Sequence, residues 1–211
     1  MAQDELGLGI ARADLCRFLA ACHYQPGPEF AEEKMFESMA AVAARVHPDF
    51  AAGARRLGAA FAAEDPEVLL VDYTRIFLGP VEPVAKPYGS VWLGGQQALM
   101  QDSSMAVQQL YAQGGFEIDE GFRELPDHVA AELEFLYLLI YRETEARAQG
   151  DADAATAMSA LRRRFLAEHL GAWVGPFTTA VGEGATTDFY RELADLTRRV
   201  VAAEAAAAAA T

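Results

Sequence analysis

Glu124, Asp127 and His128 fall within five consecutive positions. Carboxyl and imidazole groups at that spacing suit proton transfer, metal ligation or the docking of a cationic partner. Proton transfer by a mutually oriented pair is disfavoured, because adjacent residues on a helix diverge by about 100°. Metal ligation finds little help. A di-iron bundle uses Glu-x-x-His pairs, yet Ala or Leu stands three residues before each of His23, His47, His128 and His169. Cys16 and Cys22, six apart on a predicted helix, point to different faces and read as small buried apolar residues. Lys34 and Lys86 have no Gly-rich approach, and no Gly-x-Ser-x-Gly elbow occurs. No catalytic residue, metal or cofactor is therefore assigned, and an enzyme using the Glu124, Asp127 and His128 cluster is the minority reading. Two readings of the cluster stay open: a decorated helix start, and a docking place for another chain.

The element that must position these groups runs from Glu124 to Tyr141. Pro126 suits a first helical turn, Glu124 and Asp127 complement the helix dipole, and Val129, Leu133, Leu136 and Ile140 form an apolar stripe. Phe135, Leu138, Leu139 and Tyr141 cover most of the rest, so this is expected to be a central, buried helix. His128 and Glu132 are spaced to bond to each other, and His128 is expected to tune the cluster's charge near neutral pH. Glu132 and Glu134 enter the apolar run and need solvent or donors, for which Arg75 and Arg142 are candidates.

Around it the chain reads as helices over 10–23, 29–45, 49–63, 66–77, 92–114, 152–169, 172–181 and 187–203, punctuated by Pro, Gly and Asp. Residues 1–9 and the Ala-rich 204–211 are expected to be disordered. Gly79-Pro80, Pro83, Pro87 and Gly89 exclude a regular element over 78–90 and predict a hinge or binding lip, with Ser90 at its end. Tyr73 and Phe77 read as core, whereas Tyr88 and Trp92 flank the loop and are expected to be partly exposed. The expected architecture is all-α, a single-domain bundle of about nine to eleven helices over 1–211.

A net charge of −14, from 17 basic and 31 acidic residues, argues against a nucleic-acid partner and favours a cationic one. No signal segment opens the chain and no apolar run reaches spanning length, so a cytoplasmic location is expected.

Three blocks carry a family resemblance. Tyr73-Thr74-Arg75-Ile76-Phe77-Leu78-Gly79-Pro80, with Pro83 and Pro87-Tyr88-Gly89-Ser90-Val91-Trp92, resembles the hinge-loop signature of the TorD/DmsD-like, NarJ-related redox-enzyme maturation chaperones. Glu124-Leu125-Pro126-Asp127-His128, leading to Glu132-Leu133-Glu134-Phe135, is similar to their second motif. The third runs from Phe165 through His169-Leu170, Trp173 and Phe177 to Phe189-Tyr190 and Leu193. The blocks cover roughly residues 68–200; Pro126 stands one place later than in many relatives, and Gly171-Ala172 replaces a bulkier, proline-bearing step. The resemblance implies a non-catalytic chaperone that binds the precursor of a molybdopterin oxidoreductase, through its twin-arginine signal peptide or its apo-form. Such a chaperone assists cofactor insertion and delays export. The binding residues implied are Glu124, Asp127, His128, Tyr88, Trp92, Phe77, Gly79 and Pro80, with Pro83, Pro87, Gly89 and Ser90 as hinge. A monomer able to exchange into a domain-swapped dimer is expected from that hinge. The alternative within the class is an assembly factor that binds only the mature part of its client.

Overall fold

In the computed structural model the described residues are 2–79, 82–93, 101–118, 121 and 123–210. The chain forms α1 (Ala2–Cys22), α2 (Glu29–Glu32), α3 (Met35–Val46), α4 (Pro48–Ala63), α5 (Pro66–Tyr73) and a π-helical turn (Thr74–Leu78). It continues through α6 (Gly89–Leu93), α7 (Gln101–Gly114), α8 (Val129–Gln149), α9 (Ala152–Glu168), α10 (Leu170–Gly184) and α11 (Asp188–Ala209). No strand occurs among the described residues; one isolated antiparallel bridge joins Tyr88 to His128.

The helix boundaries follow local chemistry. His47 closes α3 and caps α4, its Nδ1 accepting from the Asp49 N–H at 3.2 Å ahead of Pro48 at the first helical position. Asp65 does the same for α5 through the Glu67 N–H at 2.8 Å, and Asp151 caps α9 through Ala154. Gly150 ends α8 in the left-handed region (φ 76°), where it carries no Cβ to clash. The single helix expected over 29–45 is instead broken at Lys34, which is left-handed at φ 51°. The break turns α3 so that Met35, Phe36 and Met39 face inward. Lys34→Gly is expected to stabilise the chain by about 0.5 kcal/mol, the strain relieved less the glycine's entropy cost. A lower urea midpoint for the variant would contradict this.

Central α8 packs most extensively against α1, then α9; α10 lies on α11, and the α3–α4 pair closes against α1 and α11. Val129, Leu133, Leu136 and Ile140 are all buried, as the stripe requires. Two ends differ from expectation. Residues 2–9 continue α1, and 204–209 continue α11. Arg12 of α1 grips Glu204 of α11 through two hydrogen bonds of 2.8 and 2.6 Å. Buried Arg162 of α9 bonds Glu143 of α8 at 2.9 Å and reaches Glu204 at 3.4 Å. Glu204 and Ala208, four residues apart, both face inward. The tail is thus anchored by a buried ionic network that its alanine-rich composition does not announce.

Candidate functional site

The loop after the π-helical turn is stitched to the start of α8. Backbone bonds run from the Gly89 N–H to the Asp127 carbonyl and from the Val129 N–H to the Pro87 carbonyl, both 2.8 Å. Earlier in the loop, the N–H groups of Val84 and Ala85 bond the carbonyls of Arg75 and Ile76. Gly79, at φ 58°, sits so close to Pro83 that a Cβ would meet its backbone, which makes glycine necessary there. Pro80 lies outside the described residues. Pro83 is half-buried, whereas Pro87, Gly89 and Ser90 are buried.

Helix α8 begins at Val129, later than expected, so Glu124–His128 form its entry rather than its first turn. His128 is the N-cap: its Nδ1 accepts from the Ala130 N–H at 3.2 Å. Its ring stacks on Tyr24 (centroids 6.0 Å apart, 10° between planes) and meets Tyr88 edge-on at 5.5 Å. Burial lowers its pKa to about 4, against the opposing pull of Glu124 and Asp127. It is therefore neutral at pH 7, and the expected tuning of charge near neutrality does not arise from this side chain.

Asp127 also turns inward. Oδ2 accepts from the buried Ser90 N–H at 2.7 Å and Oδ1 from the Ser104 hydroxyl at 2.9 Å, so the carboxylate fastens the loop and α7 to α8. Glu132 is buried as well, bonded to the Trp173 indole N–H at 3.1 Å instead of to His128. Burial pushes its pKa well up, the indole bond lowers it, and the Asp127 charge raises it again. Gly89 lies directly on this pair, since a Cβ there would come within 2.8 Å of the indole nitrogen. Arg75 and Arg142, expected as partners, are engaged elsewhere: Arg75 with Asp72 and the Gly184 carbonyl, Arg142 with the Gly114 and Gly115 carbonyls.

What remains at the surface is a smaller, differently composed group. Glu124 is exposed and accepts from the Tyr88 hydroxyl at 2.6 Å. Tyr24 donates to Glu134 at 3.1 Å. Among the described residues no arginine or lysine lies within ion-pair distance of either carboxyl group. Burial pushes the Tyr24 and Tyr88 hydroxyls up, and the adjoining carboxylates add to it; burial and the Glu124 charge do the same to Tyr73. Burial also raises the Glu134 carboxyl, which the Tyr24 bond partly offsets. Leu78 at the end of the π-helical turn, Leu93 at the end of α6 and Leu125 before α8 are exposed apolar residues. Trp92 is half-buried, its indole N–H donating to the Lys86 carbonyl at 2.9 Å and its ring edge-on to Phe177. Phe77 is core, packed among Tyr73, His23, Phe177 and Tyr190. Sequence reasoning missed Tyr24, whose position just before the Pro26-Gly27-Pro28 break was the available signal, and left Glu134 without its partner. Among the described residues no three His, Cys, Asp or Glu side chains are placed to share a metal ion. No described helix is long and apolar enough to cross a membrane.

The arrangement offers aromatic faces and hydrogen-bond acceptors, set in an all-helical frame. A crystal structure from Archaeoglobus fulgidus described as a redox enzyme maturation protein has a similar fold, with a TM-score of 0.53, 20% identity, and coverage of 89% of this chain and 91% of that one. The chain belongs to the nitrate reductase delta subunit family, whose model matches residues 43–179. It is 26% identical over 134 residues to the chaperone protein TorD of Vibrio atlanticus, covering 63% of this chain and 61% of TorD. It is 28% identical over 146 residues to the Tat proofreading chaperone DmsD of Salmonella typhi, covering 69% and 65%. Against the perchlorate reductase assembly chaperone protein of Dechloromonas aromatica it is 29% identical over 135 residues, covering 62% and 58%. The matched stretches thus span less than two thirds of these relatives' lengths. This is the family to which the three motif blocks pointed.

Proposed function

We propose that this chain is a cytoplasmic assembly chaperone that holds the precursor of an exported molybdopterin oxidoreductase by its twin-arginine signal peptide, and that it performs no bond-making itself. The observation that carries the reading is Glu124: an exposed carboxyl group, bonded to Tyr88 and without a described ion pair, beside two tyrosine rings and a second carboxyl group. A guanidinium matches this composition, since it pairs bidentately with a carboxylate and stacks on aromatic faces. The apolar part of a signal peptide would cover exposed leucines such as Leu125, Leu78 and Leu93, and this burial supplies most of the affinity. Exposed ion pairs add only about 0–1 kcal/mol each.

Asp127 and His128 serve this site from beneath, as the fastening of the loop and the cap of α8. Direct tests therefore belong on Glu124 and Tyr88. Calorimetry of the client's synthetic signal peptide is expected to show about tenfold weaker binding for Glu124→Gln with Tyr88→Ala, with an unchanged melting curve. A twin-lysine peptide should lose a similar factor on the wild type. Unchanged affinity in both experiments would remove the signal-peptide reading. Full binding of a client lacking its leader would favour an assembly factor for the mature part.

A domain-swapped dimer belongs to the same proposal, with 78–90 as hinge. Opening it would break the Val84, Ala85, Gly89 and Val129 backbone bonds, so exchange is expected to be slow at neutral pH. A single sedimenting species at all concentrations would count against it.

A further inference from the structure

Away from that face, α3 and α4 form an antiparallel pair across His47 and enclose between them an open groove of about 580 Å³. On α3 the lining residues are Glu37, Ala40, Ala41 and Ala44, which are the i, i+3, i+4 and i+7 positions of one helix face. On α4 they are Ala54, Arg55, Gly58, Ala59 and Ala62, with Phe30, Phe36 and Phe61 closing one end. Gly58 is what lets the two helices meet there, since a Cβ on it would lie 2.7 Å from that of Phe36. No large side chain of either helix fills the space above the alanines, so the groove presents apolar surface at the pitch of a helix.

From this geometry we infer that the α3–α4 groove is a second docking surface, for a cationic amphipathic helix of a partner chain. The occupant's chemistry follows from the charges at the rim. Glu29, Glu33 and Glu37 flank Phe30 and Phe36 in the sequence, all three are exposed, and none has an ion pair among the described residues. Glu37 lines the groove itself, so an unpaired carboxyl group stands on its wall at the aromatic end, and Glu29 and Glu33 bracket in the chain the Phe30 that closes that end, with Lys34 as the neighbouring cation. An anionic membrane surface is repelled by that rim. A second copy would bring the same glutamates and another −14 charges with it. A helix with basic residues at one end and large apolar side chains at i, i+3 or i+4, and i+7 meets both the acidic rim and the small-residue walls. Arg55 lies on the far wall, toward the His47 turn, and gives the occupant a direction, its cations toward Phe30 and its carbonyl end or an acidic residue toward Arg55. This surface is independent of the Tyr88–Glu124 reading.

The test uses the full chain and two synthetic helical peptides of about 18 residues sharing one leucine face, one with lysine and one with glutamate on the polar side. Wild type is expected to bind the lysine peptide, more weakly as salt rises, and not to bind the glutamate peptide. Ala41→Trp, which fills the groove from an exposed position, and Glu37→Lys, which reverses its rim, should each weaken the lysine peptide about tenfold, while Glu124→Gln with Tyr88→Ala leaves it unchanged. Equal binding by wild type and both groove variants would overturn the inference in favour of attraction by net charge alone. Loss only in the Glu124, Tyr88 variant would place the peptide on the other face and overturn it too. Concentration-dependent dimerisation abolished by Ala41→Trp would put a second copy in the groove and likewise overturn it.

Discussion

Asp127→Ala is expected to lower stability by about 3–5 kcal/mol in urea titrations, with Asp127→Asn recovering roughly half of the loss. The carboxylate is buried and both its oxygens are used, one by a buried backbone N–H and the other by the Ser104 hydroxyl. Removing it strands the Ser90 N–H without an acceptor and frees the segment that carries Tyr88. Asparagine keeps one acceptor and loses the other. Peptide binding will fall with either variant, but through the loop's order. A loss below about 1 kcal/mol for the alanine variant would show that the loop is held by its backbone bonds and not by Asp127. The outcome also decides how motif variants in this family should be read. A binding defect at Asp127 or His128 is expected to report the platform, and one at Glu124 the contact.

The second large effect is on pH. Stability should be greatest near pH 6.5 and fall on both sides. His23 and His128 are buried and neutral, with pKa values lowered to about 3 and about 4; burial is the main cause for each, and the neighbouring His128 adds to it for His23. Below the ordinary histidine pKa of about 6.5 the unfolded chain takes up protons that the folded chain refuses. Each group then removes about 1.4 kcal/mol per pH unit, until its own folded pKa is reached. Glu132 acts in the opposite direction. Its folded pKa is raised by burial, so the unfolded chain releases a proton above about pH 4.5 that the folded chain keeps, and stability falls as pH rises. Between about pH 4.5 and 6.5 the histidines, with His169 also lowered by burial, outweigh the raised Glu132 and Glu134 carboxyl groups; above that the carboxyl groups prevail, and stability falls for as long as the fold keeps their protons. Glu132→Gln keeps an acceptor for the Trp173 indole without the charge. It should therefore be more stable than wild type at pH 8, and the difference should shrink toward pH 5. Parallel wild-type and variant curves across that range would mean Glu132 already carries its charge in the fold.

Much of the frame was legible because its signals are local. Pro48, Asp65-Pro66 and Gly150-Asp151 cap or stop helices through groups one to three residues away, and the stripe from Val129 to Ile140 repeats at the helical period. The break at Lys34 was not legible, since no glycine marks the left-handed turn there. Nor was the helical end of α11, which depends on Arg12 and Arg162 arriving from far along the chain.

The amino-acid order alone thus determined that the fold is all-α, where its breakers fall, which family it joins and which motif carries the candidate site. Only the tertiary structure decided which members of that motif face outward. Periodicity relates side chains within one helix, but a carboxyl group is turned inward by the donors that reach it. For Asp127 those donors, Ser90 and Ser104, stand 37 and 23 residues away, whereas the Glu124 carboxyl group, among the described residues, takes a hydrogen bond only from the Tyr88 hydroxyl and stays at the surface.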